Sequence, residues 1–212
     1  MKPSVFILWL EKTKALILIY VTIDSHLHLI KGIRMLSGNG FKIRHVREDD
    51  LDVLIDLLNN LESRGDFLPT ALQSPHRFKK QYQEFGLSSE QFERLVVEDE
   101  EKKIIGTVWH FKGVPYFNAR EIGGISFDKS LHGQGKATAG LILLSDHLFK
   151  TTHVNRLELR IHSHHAASKK VAEKCGFTFE GVSRGANFVN GKHVDMDLYS
   201  LLRSEWQTNS PL

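Results

Sequence analysis

The chain has 212 residues, 41% of them hydrophobic and 25% charged, with a formal net charge of +3. This supports one sizeable core and is too weakly basic for a nucleic-acid binder. The lone Cys175 excludes an intrachain disulfide framework and any multi-cysteine metal site, and it fits a reducing, cytoplasmic setting.

Residues 5–10 and 15–23 are apolar but are interrupted by Glu11, Lys12 and Lys14. A membrane-spanning helix needs about 20 predominantly apolar residues, and no small-residue cleavage site follows. Neither a membrane anchor nor a signal peptide is expected. The β-branched and aromatic content predicts two strands turning near Lys12-Thr13-Lys14. Met35 is a second plausible start, because every recognisable feature follows it. We divide the chain into an N-terminal extension (1–37), a main domain (38–207) and a tail (208–212). His26 and His28 have the His-x-His spacing of metal-dependent barrel hydrolases. Such a barrel needs about 250 residues and ligands on later strands, so no metal is expected.

Residues 41–46 alternate apolar and polar, as a half-buried strand does. Asp49 and Asp50 can cap a helix over 50–62 that carries Leu51, Leu54, Ile55, Leu58 and Leu61 at helical spacing. After a broken stretch, Pro75 opens a helix over 75–85. Its Arg77, Phe78, Lys79, Lys80, Tyr82 and Phe85 read either as an acceptor-pocket lining or as a solvated helix with a core stripe. Strands are expected over 92–99, 103–111 and 121–127, and Gly106 marks a bulge or a close backbone approach. A strand over 155–161 leads to a helix stopped by Gly176, and two final strands flank Asn190-Gly191, a strong hairpin signal. In the last strand Val194, Met196 and Leu198 alternate with Asp195, Asp197 and Tyr199, which predicts one buried face. The order is that of an α+β, layered fold, with a mixed sheet and helices on both faces.

Between the third of these central strands and an amphipathic helix lies His132-Gly133-Gln134-Gly135-Lys136-Ala137-Thr138. A strand ending in a Gly-rich turn that opens a helix presents unpaired N–H groups and the positive end of the helix dipole to an anion. Two close glycines let the backbone approach a pyrophosphate. No dinucleotide fingerprint and no Walker Lys-Ser/Thr pair accompanies the turn, which argues against hydride transfer and nucleotide hydrolysis.

Four pieces together resemble the GNAT acetyltransferase superfamily and, within it, the group of Rim-type ribosomal-protein alanine N-acetyltransferases. They are EIGGISFDKSLHGQGKATA, RLELRI, HHAASKKVAEKCGFTFEGVSRG and HVDMDLYSLLRSEW. The resemblance covers about residues 41–206 and implies a mostly antiparallel GNAT sheet, an acetyl-CoA co-substrate and an amine acceptor. It implies that the turn from His132 to Thr138 cradles the pyrophosphate, with His132 standing where Arg or Gln is usual. It implies that a backbone N–H around Ser126 and Phe127 stabilises the oxyanion. His165 replaces the family's Asn before Ser168, and the usual Tyr acid is replaced by Ala172. Rim-type relatives use the serine, so Ser168 is implied as the donor to the leaving thiolate. The acidic residue that some of them place nineteen positions later is Asn187 here.

An amine is mostly protonated at neutral pH and must lose a proton before it attacks the thioester. Glu121, at the head of its strand, is the candidate base. Glu158 reads as a surface residue, His110 and His162 as structural, and Cys175 as an inert core thiol. The acceptor, a protein N-terminus or a small-molecule amine, carries no motif of its own. Neither does the choice between monomer and homodimer. The alternative reading is a non-catalytic acetyl-CoA-binding sensor or scaffold that kept the Gly turn and lost the base.

Overall fold

A computed structural model of the chain describes residues 6–8, 17–19, 36–38, 40–68 and 71–209. The chain forms two compact units, Met1–Arg34 and Met35–Leu212. In the first unit, β1 (Phe6–Leu8) pairs antiparallel with β2 (Ile17–Ile19). The expected turn at Lys12-Lys14, the His26/His28 pair and Met35 lie outside the described residues, as do residues 210–212.

The second unit is built on an eight-stranded sheet. Its strands are β3 (Leu36–Gly38), β4 (Phe41–His45), β5 (Phe92–Asp99), β6 (Ile104–Phe111), β7 (Ala119–Ser126), β8 (Arg156–His162), β9 (Thr178–Val189) and β10 (Lys192–Leu202). They lie in the order β3-β4-β5-β6-β7-β8-β10-β9, and every pair is antiparallel except β7–β8. The helices are α1 (Leu51–Asn59), α2 (Leu61–Arg64), α3 (Pro75–Phe85), α4 (Lys136–Thr151), α5 (Ala166–Lys174) and α6 (Arg203–Asn209). None among the described residues is long and apolar enough to cross a membrane.

Two cores sandwich the sheet. Leu144, Leu148 and Phe149 of α4 and Ala172 of α5 pack with Ile105, Ile122, Leu157, Leu159 and Ile161. On the other face Leu51, Leu54, Ile55 and Leu58 of α1 and Phe78 of α3 pack with Val96, Ile104 and Phe127. Alternation along β5 sends Leu95 and Val97 to the first core and Val96 to the second, while Leu157, Leu159 and Ile161 of β8 all face the first.

The helix expected over 50–62 is two helices. Asn60 adopts extended backbone, and its side chain accepts from the Glu62 and Ser63 amides, so it ends α1 and caps α2. The α3 helix has Ser74 as N-cap, Pro75 at its first position and Gly86 in the left-handed conformation at its end. Gly106 is both things expected of it. The β5–β6 register slips beside it, and a Cβ there would stand 2.7 Å from the Ile125 carbonyl oxygen. Asn190 and Gly191 have φ of 50° and 77°, as a type I′ turn requires.

The last strand corrects the simple hydrophobic reading. Asp197, Tyr199 and Leu201 are buried, while Val194, Met196 and Leu198 are half-buried. The inward face is the one toward α5. There Asp197 accepts from Ser163 and from Lys169 Nζ, so its charge is satisfied inside. After β10, Arg203 donates to the Phe149, Thr152 and Val154 carbonyls and thereby closes the C-terminus of α4.

Candidate active site

The two parallel strands at the centre of the sheet separate. β7 and β8 pair only over Ala119↔Arg156, Arg120↔Leu157 and Glu121↔Glu158. Beyond that point β7 runs on to Ser126 beside β6, and β8 runs on to His162 beside β10. A wedge therefore opens with Glu121 and Glu158 at its vertex. The Phe127 N–H donates to the Ile105 carbonyl at 2.9 Å. Alternation along β7 then turns the amides of Ile122, Gly124 and Ser126 toward the wedge. Of the two residues expected near an oxyanion, Ser126 thus faces the gap, while Phe127 spends its amide in the sheet and buries its ring in the second core.

One arm of the wedge ends at the Gly turn. Asp128 accepts from the Ser130 amide and sets a short 3-10 turn over Lys129–Leu131. His132, Gly133, Gln134 and Gly135 follow, all exposed. Gly133 and Gly135 have φ of 76° and 78°, and a Cβ on either would meet nothing within 4 Å. Gly135 caps α4 without a side-chain acceptor, so the first-turn amides of Lys136, Ala137 and Thr138 are left without a capping side chain. That open cradle fits a pyrophosphate. Lys136 does not lean over it; Nζ donates to the Gly40 carbonyl at 3.3 Å. Gln134 Nε2 likewise donates back to the Ser130 carbonyl.

The other arm ends at α5. His165 stands at its N-cap without a capping bond, and Ser168 lies in the first turn, half-buried. Ser168 makes no side-chain hydrogen bond among the described residues, so it is not a cap. Phe67, in the segment after α2, meets His165 edge-on with ring centroids 4.1 Å apart and lies 5.0 Å from His162. Burial first, and then the charges of His162 and His132, push His165 below the ordinary histidine value. The residue at the expected acid position, Ala172, is fully buried. Among the described residues no cluster of His, Cys, Asp or Glu could hold a metal.

At the vertex, Glu121 Oε2 accepts from Arg160 Nε at 3.1 Å. Burial raises the Glu121 carboxyl above its ordinary range; Arg160 opposes the shift and Glu158 adds to it. Glu158 is not a surface residue. β8 lies inside the sheet, and its carboxylate joins Arg156 at 2.6 Å and Arg160 at 3.8 Å. Trp109, which carries no motif, has its indole over Gly123 of β7: a Cβ there would stand 2.5 Å from the ring. A Gly-Gly pair within a strand was the one signal that a bulky neighbour crosses it. Cys175 is half-buried, and burial pushes its thiol up to about 11, which leaves it inert.

Known proteins share this architecture. A spermidine N-acetyltransferase from Vibrio cholerae, solved with CoA and spermine, superposes with a TM-score of 0.70 at 22% identity, over 80% of this chain and 99% of that one. RimL, a ribosomal L7/L12 alpha-N-protein acetyltransferase solved with coenzyme A, gives 0.69 at 20% identity, over 80% and 98%. At such identity the likeness is one of fold. A Bacillus subtilis protein named as a ribosomal N-acetyltransferase, YdaF, is 35% identical over 79 residues, 37% of this chain and 43% of that protein. The ribosomal-protein-serine acetyltransferase of Escherichia coli is 29% identical over 100 residues, 47% and 55%. The matched stretches thus span about half the length of these curated relatives. The acetyltransferase (GNAT) domain profile matches residues 41–178, more than half of the chain, and the chain belongs to that family.

Proposed function

We propose that the protein is an N-acetyltransferase that moves an acetyl group from acetyl-CoA to a primary amine. The observation that carries the reading is the parting of β7 from β8 above an open Gly turn. The amides of the turn and of the first turn of α4 would hold the pyrophosphate, and acetyl-CoA supplies the activated acyl group as a thioester. CoA-bound neighbours of the same fold support that choice of donor.

In this reading the wedge-facing amides of β7 receive the carbonyl oxygen and stabilise the negative charge it gains as the amine adds. Glu121 takes the ammonium proton, directly or through water; its raised pKa makes it a better base than an ordinary carboxylate. Collapse of the tetrahedral intermediate breaks the C–S bond, and Ser168 donates a hydrogen bond or proton to the departing thiolate. Ser168 is suited to this because nothing else among the described residues engages its hydroxyl. The proton balance closes when water or buffer takes the proton from Glu121 and returns one to the serine.

The acceptor class is an amine, a protein N-terminus or a small molecule, as the relatives' names suggest. The domain over 38–207 suffices for this chemistry, with residues 1–37 as an extension, in a monomer or homodimer. An unbridged Cys175 suits the cytoplasm. Release of CoA is measured against a panel of peptide N-termini, polyamines and free amino acids. Turnover of at least one acceptor is expected; tight acetyl-CoA binding with no turnover on any would leave the sensor or scaffold reading instead.

A further inference from the structure

Arg94, Trp109 and Gly123 stand in one cross-strand row: Arg94 pairs with Trp109 on β6, and Trp109 with Gly123 on β7. By strand alternation Arg94 shares a face with Val96, and so with the core under α1 and α3. The row ends at Gly123, on the part of β7 that has left β8. The indole fills the space over Gly123, and Arg94 lies over the indole, its guanidinium carbon 4.9 Å from the ring centroid and 5.8 Å from that of Phe92.

Arg94 is half-buried and has no counter-charge among the described residues. Among the described residues its guanidinium makes one hydrogen bond, from Nη1 to Thr107 Oγ1 at 3.4 Å, and no ion pair. Of the other arginines of the sheet, Arg184 is exposed and Arg120 bonds His110 and the Glu90 carbonyl, while three hold carboxylates. Arg44 holds Asp50 and Glu98, Arg156 holds Glu158 and Glu180, and Arg160 holds Glu121 and Glu158. Burial alone brings the Arg94 guanidinium down to about 10. A desolvated charge without a partner is costly to keep, and a guanidinium carries five N–H donors in a planar fork that matches a carboxylate. The stack on Trp109 holds that fork in place.

We propose that Arg94 recognises a carboxylate on the acceptor, so that the protein acetylates amines bearing an acidic group several bonds from the reacting nitrogen. Adjacent strands lie about 4.8 Å apart, so the row spans about 10 Å of sheet, much of it bridged by the arginine's own length. A peptide N-terminus with Asp or Glu at its second position has that reach. The inference rests on the transferase reading; what it adds is the charge of the acceptor.

The test uses two amidated tripeptides, Ala-Glu-Ala and Ala-Gln-Ala, with the full-length protein, Arg94→Lys and Arg94→Met. CoA release gives kcat/KM, and calorimetry gives peptide binding independently of turnover. Arg94→Met keeps an apolar stem over Trp109, and circular dichroism with acetyl-CoA affinity checks each variant. The wild type is expected to favour the glutamyl peptide about ten- to a hundredfold in both readouts. Arg94→Lys should keep part of the preference and Arg94→Met none, with acetyl-CoA affinity unchanged. Equal handling of the two peptides by the wild type, binding of neither, or a preference that survives in Arg94→Met overturns the proposal. Failure of the transferase reading looks different: acetyl-CoA does not bind, or no amine of any charge releases CoA.

Discussion

Arg160 Nε donates to Glu121 Oε2 at 3.1 Å, joining β8 to β7 where the two strands stop pairing. Thirty-nine residues separate the two in the chain. The contact holds the vertex of the wedge while leaving Glu121 one oxygen that Arg160 does not engage, and burial lifts its carboxyl above the ordinary 4.5.

If Glu121 takes the proton, the rate should rise with pH through a value above the usual carboxylate range, because only the ionised form is a base. Glu121→Gln is expected to lower kcat/KM by about a hundredfold and to remove that acid limb. A Gln variant with the wild-type pH profile would exclude Glu121 as the base.

Among the described residues Ser168 has no side-chain hydrogen bond to lose. Ser168→Ala should therefore unfold at the wild-type temperature and bind acetyl-CoA normally, while kcat falls about tenfold from loss of the donor to the thiolate. An unchanged kcat would return Ser168 to a bystander of the first turn of α5.

Gly123→Ala places a methyl group 2.5 Å from the Trp109 ring. The strand cannot retreat, so the indole must move, at a cost of about 1–3 kcal/mol. Lower thermal stability, a shifted tryptophan emission and reduced turnover are expected together. Stability at the wild-type level would show that the ring has room to move aside.

Glu93 supplies the pH dependence of folding. Its Oε2 accepts from His110 Nε2 at 2.8 Å, while His110 Nδ1 accepts from Arg120 Nη1 at 3.2 Å, which keeps the proton on Nε2. The His110 bond, with help from Ser88, holds the Glu93 carboxyl at about 2 against an ordinary 4.5. The folded value is depressed, so this stabilisation is complete above about 4.5 and is lost as pH falls toward 2. Glu93→Gln should cost about 2 kcal/mol at pH 7 and far less at pH 2.5, measured by denaturant titration at both. An equal loss at both would show that packing, not charge, is what Glu93 provides.

Much of the molecule was legible from local pattern. Helix α3, the turn at Asn190-Gly191 and the Gly turn before α4 each depend on residues within a few positions of one another: Ser74 with Pro75 and Gly86, two positive φ values, two exposed glycines. The break at Asn60 escaped that reading because the leucine spacing runs straight through it. An asparagine that can cap is recognised only once the chain has turned.

The chain's order of elements and its Gly turn thus follow from residue type and spacing, since capping, positive φ and periodicity are short-range effects, and its family from the resemblance of four sequence pieces. Which face of β10 is buried could not follow from alternation, because both of its faces carry polar or apolar residues in regular turn. Packing against α5 and the Ser163 and Lys169 contacts of Asp197 decided it. The parting of β7 from β8, the Arg160–Glu121 contact, the Trp109 ring over Gly123 and the meeting of Phe67 with His165 all join residues far apart in the chain. Strand register brings such pairs together, and register is a property of the assembled sheet.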